Sequence, residues 1–396
     1  MKYSRFLGPA MLLAFVAFQG CQDHPGPDLA TGPDQGQAMA GNEAPDLSRK
    51  AAGQSGHGSG TVYTLSNGSS ANSVIRFAVS AAGSFTPAGS FETGGRGTGS
   101  GLGSQGAIVK KGKLLFAVNA GSDEVSVLRE KKDGLAQVTT VLSGGTMPIS
   151  LTVKGDLLYV LNAGGAGNIS GFRGASSGKL RPIPGSARPL SGAGVAPAQI
   201  QFSPKGGVLV VTEKGTNKIV TYRVESHGRA VGPLVQNSIG DTPYGFDFTP
   251  RGQLVVSDAF GGAPLQSALS SYSVDRGGRI RLITGPVADM QTAACWVVIS
   301  ADGKFVYTTN TGTNNISGYR VSHNGSLTLF DDGGNTAPSD PGPIDIALSH
   351  NSHMLYVLNA GGNSITSYRR DPHSGTLSQL GTVGGLPAGA AGLIAD

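Results

Sequence analysis

Most of the chain is built from short runs of alternating or continuous apolar residues, each five to seven positions long and stopped by small or polar residues. Seven of these runs end on an asparagine or an acid: Val62–Asn67, Leu114–Asn119, Leu157–Asn162, Val208–Glu213, Leu254–Asp258, Phe305–Asn310 and Met354–Asn359. The anchors Asn67, Asn119, Asn162, Glu213, Asp258, Asn310 and Asn359 are 52, 43, 51, 45, 52 and 49 residues apart. A second run follows each anchor and ends near an aromatic or leucine: Phe77, Leu128, Phe172, Tyr222, Tyr272, Tyr319 and Tyr368. The fifth copy is delayed because Gly261–Ser267 lengthens its loop. These lengths and periods predict strands, not helices.

A third apolar run precedes every anchor run except the first: Gln105–Val109, Pro148–Val153, Pro197–Phe202, Pro243–Phe248, Ala293–Ile299 and Pro343–Leu348. Turns such as Ser203-Pro204-Lys205-Gly206 follow, with Pro or Asp early and Gly late. The missing copy lies at the other end of the chain, in Pro387–Ile394. A period near 48 with four strands per unit predicts an all-β, seven-bladed β-propeller, with the C-terminal strand closing the ring on the first blade. Arg129, Arg173, Arg223, Arg320 and Arg369 follow the aromatic column in five copies and read as surface and blade-edge charge.

The runs Tyr159-Val160-Leu161-Asn162, Tyr307-Thr308-Thr309-Asn310 and Tyr356-Val357-Leu358-Asn359 resemble the Tyr-Val-Thr-Asn repeats of bacterial surface propellers. With the Ser-Pro-Lys-Gly turn and the Val-Thr-Glu run ending at Glu213, residues 60–396 resemble the seven-bladed lactonase-like propellers. That family includes 6-phosphogluconolactonase and carboxymuconate cyclising enzymes. The resemblance implies a lactone-hydrolysing ancestry and a catalytic glutamate at Glu213. It does not supply the basic partners. The family's Pro-Arg-His run reads Pro197-Ala198-Gln199 here, and its His-Pro-His reads Met147-Pro148-Ile149.

Composition sharpens this picture at the ends of the chain. Sixty-three glycines among 396 residues, with 14% charged side chains, exclude a mainly helical protein. Lys2 and Arg5, the apolar segment Leu7–Phe18 and the pair Gly20-Cys21 predict a lipoprotein-type signal over 1–20, with Cys21 lipidated. Residues 21–60 carry few large apolar side chains and read as a flexible tether, with a typical span of about 30–40 Å. The propeller then occupies 61–396. If Cys21 carries lipid, Cys295, the second cysteine, is left as a buried and inert thiol. The expected location is the outer membrane or cell envelope, facing periplasm or cell surface, with the membrane held through the lipid. The expected oligomeric state is a monomer. Net charge falls from +5 to +3 on removal of residues 1–20 and shows no basic cluster, which argues against nucleic acid.

Loops entering the first strand and loops leaving the second share one face of a propeller. The insertions Gly94–Gly106, Asp258–Ser271 and Asp331–Gly342 load that face, so a ligand mouth is expected there. Candidate ligand-binding residues are Gln105, Asn119, Lys214, Tyr244, Asp247, Asp258, Trp296 and Asp345, with Ser150 and Cys295 beside them. Asparagines of the anchor column equally serve their own loops, since Asn tolerates left-handed turns. None of the seven histidines falls at a channel position, and His350 and His353 share a turn with no third ligand, so neither a metal nor a cofactor is expected. Two functions fit: a binding module on the envelope for a small molecule, glycan or protein, or a divergent hydrolase of a neutral lactone. In the second, Glu213 is the base and Gln199 or Lys214 the donor.

Overall fold

A computed structural model describes residues 60–396. The expected signal, tether and lipidation site at Cys21 lie outside the described residues. Seven antiparallel sheets form the seven blades. The inner strands run in chain order Ile108–Lys111, Pro148–Lys154, Pro197–Phe202, Pro243–Phe248, Ala294–Ile299 and Pro343–Leu348, in blades 2 to 7. Blade 1 takes its inner strand from the end of the chain, Ala391–Ala395, which pairs with Gly60–Leu65. The last strand thus completes blade 1 as a four-stranded sheet and closes the ring, leaving only short inner edges that face the channel. Loop Asp331–Gly342 is more than an insertion. Ala337–Pro338 within it pairs with Asn315 and Ile316 and completes the outer strand of blade 6.

Second-strand residues are almost wholly buried, because each blade packs between two others. Aromatic side chains then tie blades together through their hydroxyls. Tyr222 of blade 4 donates to Pro189 O of blade 3 (2.8 Å), and Tyr368 of blade 7 to Pro338 O of blade 6 (2.8 Å). Tyr159 and Tyr307 reach forward instead, to Gly228 O (2.7 Å) and Gly375 O (2.6 Å) in turns of the next blade. Each phenol thus buries a ring and satisfies its polar end at once.

The arginine column does more than dress the surface. Arg129, Arg173, Arg320 and Arg369 each donate from Nη2 to a turn carbonyl of the next blade: Ser177 (2.8 Å), His227 (2.6 Å), Ser374 (3.1 Å) and Ala81 (3.1 Å). Four seams between blades are therefore clasped from outside by the same device.

Candidate functional site

The anchor column braces loops. Asn119 donates to Ser126 Oγ (2.8 Å), Asn162 to Ser170 Oγ (3.3 Å), Asn310 to Ser317 Oγ (2.7 Å) and Asn359 to Thr366 Oγ1 (3.1 Å). Asp258 accepts from Ser270 Oγ at 2.5 Å in the same arrangement. All five are fully buried. The left-handed residues are not these anchors, Asn67 apart, but those four positions later: Asp123, Asn217, Asn314 and Asn363. Three of them cap the entry to the next inner strand: Asp123 accepts from Met147 N (2.7 Å), Asn217 from Thr242 N (2.8 Å) and Asn314 from Gly342 N (2.8 Å).

Glu213 belongs to this bracing set. In blade 4 the hydroxyl expected beneath the anchor is replaced by Val220, so the longer glutamate turns sideways. It accepts from Ser191 N (2.9 Å), from Ser191 Oγ and from Thr216 Oγ1 (3.0 Å), and it is fully buried. It does not line the channel cavity. Glu213→Ala strands the Ser191 amide without a partner. The expected loss is about 1–3 kcal/mol in unfolding free energy, read by chemical denaturation.

The long-loop end of the channel is filled. Segment 102–105 of the Gly94–Gly106 loop crosses it. Ser104 Oγ donates to Ile149 O (2.8 Å), and Trp296 Nε1 donates to Ser104 O (3.0 Å). Gln105 reaches blade 6, giving Nε2–H to Val297 O (2.7 Å) and taking Val297 N–H on Oε1 (3.1 Å). Gly245 makes the room, because a Cβ there would stand 2.4 Å from Gln105 Oε1. Tyr244 packs on Trp296 with centroids 4.9 Å apart. Lys214 lies 4.3 Å over the Tyr244 ring and donates to Gly103 O (2.7 Å). Burial of that ammonium lowers its pKa to about 8. Gln105, Lys214, Tyr244 and Trp296 are thus brought together, as a plug. The mouth expected on the long-loop face is closed by its own loop.

The opposite end is open. A cavity of about 750 Å³ is lined by Gln199, Gln201, Asp247, Asp345 and the apolar Val109, Val298 and Ile394. His350 stands in its lining too, which corrects the expectation that no histidine touches the channel. Ser150, Gln199 and Asp345 occupy equivalent positions, each opposite the residue that precedes an anchor. The polar side chains staple neighbouring inner strands. Gln199 exchanges two hydrogen bonds with the Phe246 backbone (2.7 and 2.8 Å), and Ser150 Oγ accepts from Ile200 N (3.1 Å). Asp247 accepts from Gln201 Nε2 (3.0 Å), Phe248 N (2.8 Å) and Ile299 N (3.0 Å). Asp345 accepts from the amides of Ile346 (2.8 Å) and Leu393.

These two carboxyls differ in how far their surroundings favour the proton. Burial raises both, but the three hydrogen bonds to Asp247 pull it back. Asp345, with backbone donors only, is held well above the carboxylate range. One is therefore the more readily ionised and the other the more readily protonated, in one cavity. Both aspartates, expected near the long-loop mouth, line the cavity at the other end of the channel. Gln201 was missed, although strand alternation puts it two residues from Gln199 on the same face.

Cys295 is buried and disulfide-bonded, which overturns its reading as a free inert thiol. Among the described residues no group of His, Cys, Asp and Glu is placed to hold a metal ion.

The ring, its closure and this cavity place the chain in a class of seven-bladed propellers, and sequence comparison sharpens the class. Residues 184–259 and 267–390 match the model of the family described as lactonase, 7-bladed beta-propeller, and the chain belongs to that family. It is 26% identical over 179 residues to the uncharacterized protein YwcC of Lactococcus lactis, covering 43% of this chain and 51% of that protein. The chain thus spans about half the length of the curated relatives it matches. Its fold is similar to that of a Lactobacillus plantarum protein (TM-score 0.68, 20% identity, 85% and 99% of the two chains). The periplasmic gluconolactonase PpgL of Pseudomonas aeruginosa is alike at TM-score 0.65 and 20% identity, over 84% and 98% of the two chains. A candidate 6-phosphogluconolactonase of Bacteroides fragilis gives TM-score 0.65 and 19% identity, over 87% and 100%.

Proposed function

We propose that this protein is a hydrolase of an uncharged sugar-type lactone, acting in the open channel cavity. The observation that carries this reading is the pair of cavity carboxyls, Asp247 and Asp345, held in different protonation tendencies within a lactonase-family ring. Asp247 takes the proton from a water as its oxygen attacks the lactone carbonyl. Protonated Asp345 donates a hydrogen bond to the developing oxyanion and then its proton to the ring oxygen as the acyl C–O bond breaks. The product hydroxy acid ionises and returns one proton to Asp345, while Asp247 releases the other to solvent. Gln199 and Gln201 present amides to the substrate's hydroxyls.

The cavity lining selects against a phosphate. It contains no arginine, and its lysine, Lys110, is already committed to Glu130 (3.2 Å) and to Asp396. The test is hydrolysis of glucono-1,5-lactone against its 6-phosphate by the purified chain. Preference for the uncharged lactone supports the reading. Preference for the phosphate, or no hydrolysis of either, removes it.

Export fits the same picture, because a disulfide persists in an oxidising compartment. A lipid thioether at Cys21 and a disulfide through that sulfur exclude one another. Intact mass of the chain, before and after reduction, decides which use Cys21 has: a gain of two hydrogen atoms on reduction marks the disulfide, an added acylglycerol mass the anchor.

A further inference from the structure

A groove of about 800 Å³ runs between blades 4 and 5 on the face where the channel opens. The clasp that closes four other seams is absent there. By the pattern of Arg129, Arg173, Arg320 and Arg369, Arg223 of blade 4 belongs on a turn carbonyl of blade 5. It turns back to Glu225 of its own blade instead, at 3.7 Å. The blade 5 turn brings its own cation, Arg276, into the same groove.

The groove has a two-part lining. Pro204, Val208, Val224, Pro250 and Val274 supply apolar surface. Lys205, Arg223, Arg251 and Arg276 arrive from four separate segments. The two carboxylates present are both occupied: Glu225 with Arg223, and Asp275 with the amides of Gly277 (2.8 Å) and Arg279 (2.9 Å) in its own turn. Lys205, Arg251 and Arg276 form no ion pair among the described residues.

From this we infer that the seam between blades 4 and 5 is a binding site for a small organic anion with an apolar body, such as an aromatic or branched-chain carboxylate. The apolar surface takes the body of the ligand, and the arginines take the carboxylate in bidentate fashion. The site is separate from the channel cavity: the two share no lining residue. The inference does not rest on the lactonase reading.

The probe is 2-naphthoate, with 2-naphthylmethanol as its uncharged counterpart, titrated into the full chain by calorimetry. One saturable site is expected for the carboxylate, with the alcohol at least about tenfold weaker. Arg251→Gln with Arg276→Gln is expected to weaken naphthoate at least about tenfold, whereas Asp345→Asn leaves it unchanged. Raising the salt should weaken the carboxylate and not the alcohol. Equal binding of acid and alcohol, an unaffected double variant, or loss of binding in Asp345→Asn would each overturn the proposal. Should the double variant fold poorly, Arg251→Lys with Arg276→Lys keeps the charge and loses the fork, and a drop in affinity is expected there too. No saturable binding to the intact chain also overturns it.

Discussion

Asp247→Asn is expected to lower kcat for lactone hydrolysis by about 10²–10⁴-fold, the usual weight of a general base. The substitution preserves shape and removes the proton acceptor. It also turns an accepting oxygen toward an amide donor, because Asp247 Oδ1 and Oδ2 both receive backbone N–H groups, from Phe248 and Ile299. One of those bonds is lost, and about 1–3 kcal/mol of stability with it. A merely structural role would show that loss alone. A catalytic role shows a fall in kcat at nearly constant KM. It also shows a changed pH profile. In the native chain the rate rises as Asp247 ionises and falls when Asp345 finally gives up its proton, so a bell is expected. The variant should lose the acid limb.

Asp258→Asn is expected to stabilise the fold at pH 8 and to be close to neutral at pH 4. Burial pushes the Asp258 carboxyl from 3.8 up to about 7. A carboxyl raised on folding binds its proton more tightly in the native state. Its contribution is therefore fully present below the unfolded pKa and is lost as pH rises through the folded one. The window runs from about pH 4 to pH 7, and the ceiling of the effect is roughly 4 kcal/mol. Asparagine removes the charge and supplies the residue that braces the loop in blades 2, 3, 6 and 7, where Asn119 and Asn310, for example, donate to Ser126 and Ser317. Chemical denaturation of both chains at pH 4.5 and 8 measures it. The gap between variant and native chain should open with pH. A gap that stays constant would mean that Asp258 does not titrate in this range.

Ring size and strand order were legible because repetition is a property of the sequence itself. The anchors mark each second strand, and the leftover inner-strand copy at Pro387–Ile394 forecast the closure that Ala391–Ala395 performs. What each anchor does was less legible. The cue was present in the serine or threonine seven or eight residues on, at Ser126, Ser170, Ser317 and Thr366. Its absence at Val220 is what sends Glu213 to Ser191. Which end of the channel is open was not legible at all. Long loops marked the right region for a crossing, but whether Gly94–Gly106 frames the opening or fills it depends on contacts 192 residues away, Gln105 with Val297 and Trp296 with Ser104. No local pattern encodes such a pairing. The arginine column carries the same lesson. Five arginines look alike in sequence, and four of them reach across a seam while Arg223 does not.

We propose that this lactonase-family ring hydrolyses uncharged lactones from its open cavity. The most direct measurement is proton release on adding glucono-1,5-lactone to the full-length chain, compared with Asp247→Asn, Asp345→Asn and Glu213→Gln at matched folded concentrations. The account predicts turnover above buffer for the native chain, loss in both aspartate variants and retention in Glu213→Gln. Loss in Glu213→Gln with retention in the aspartate variants would contradict it.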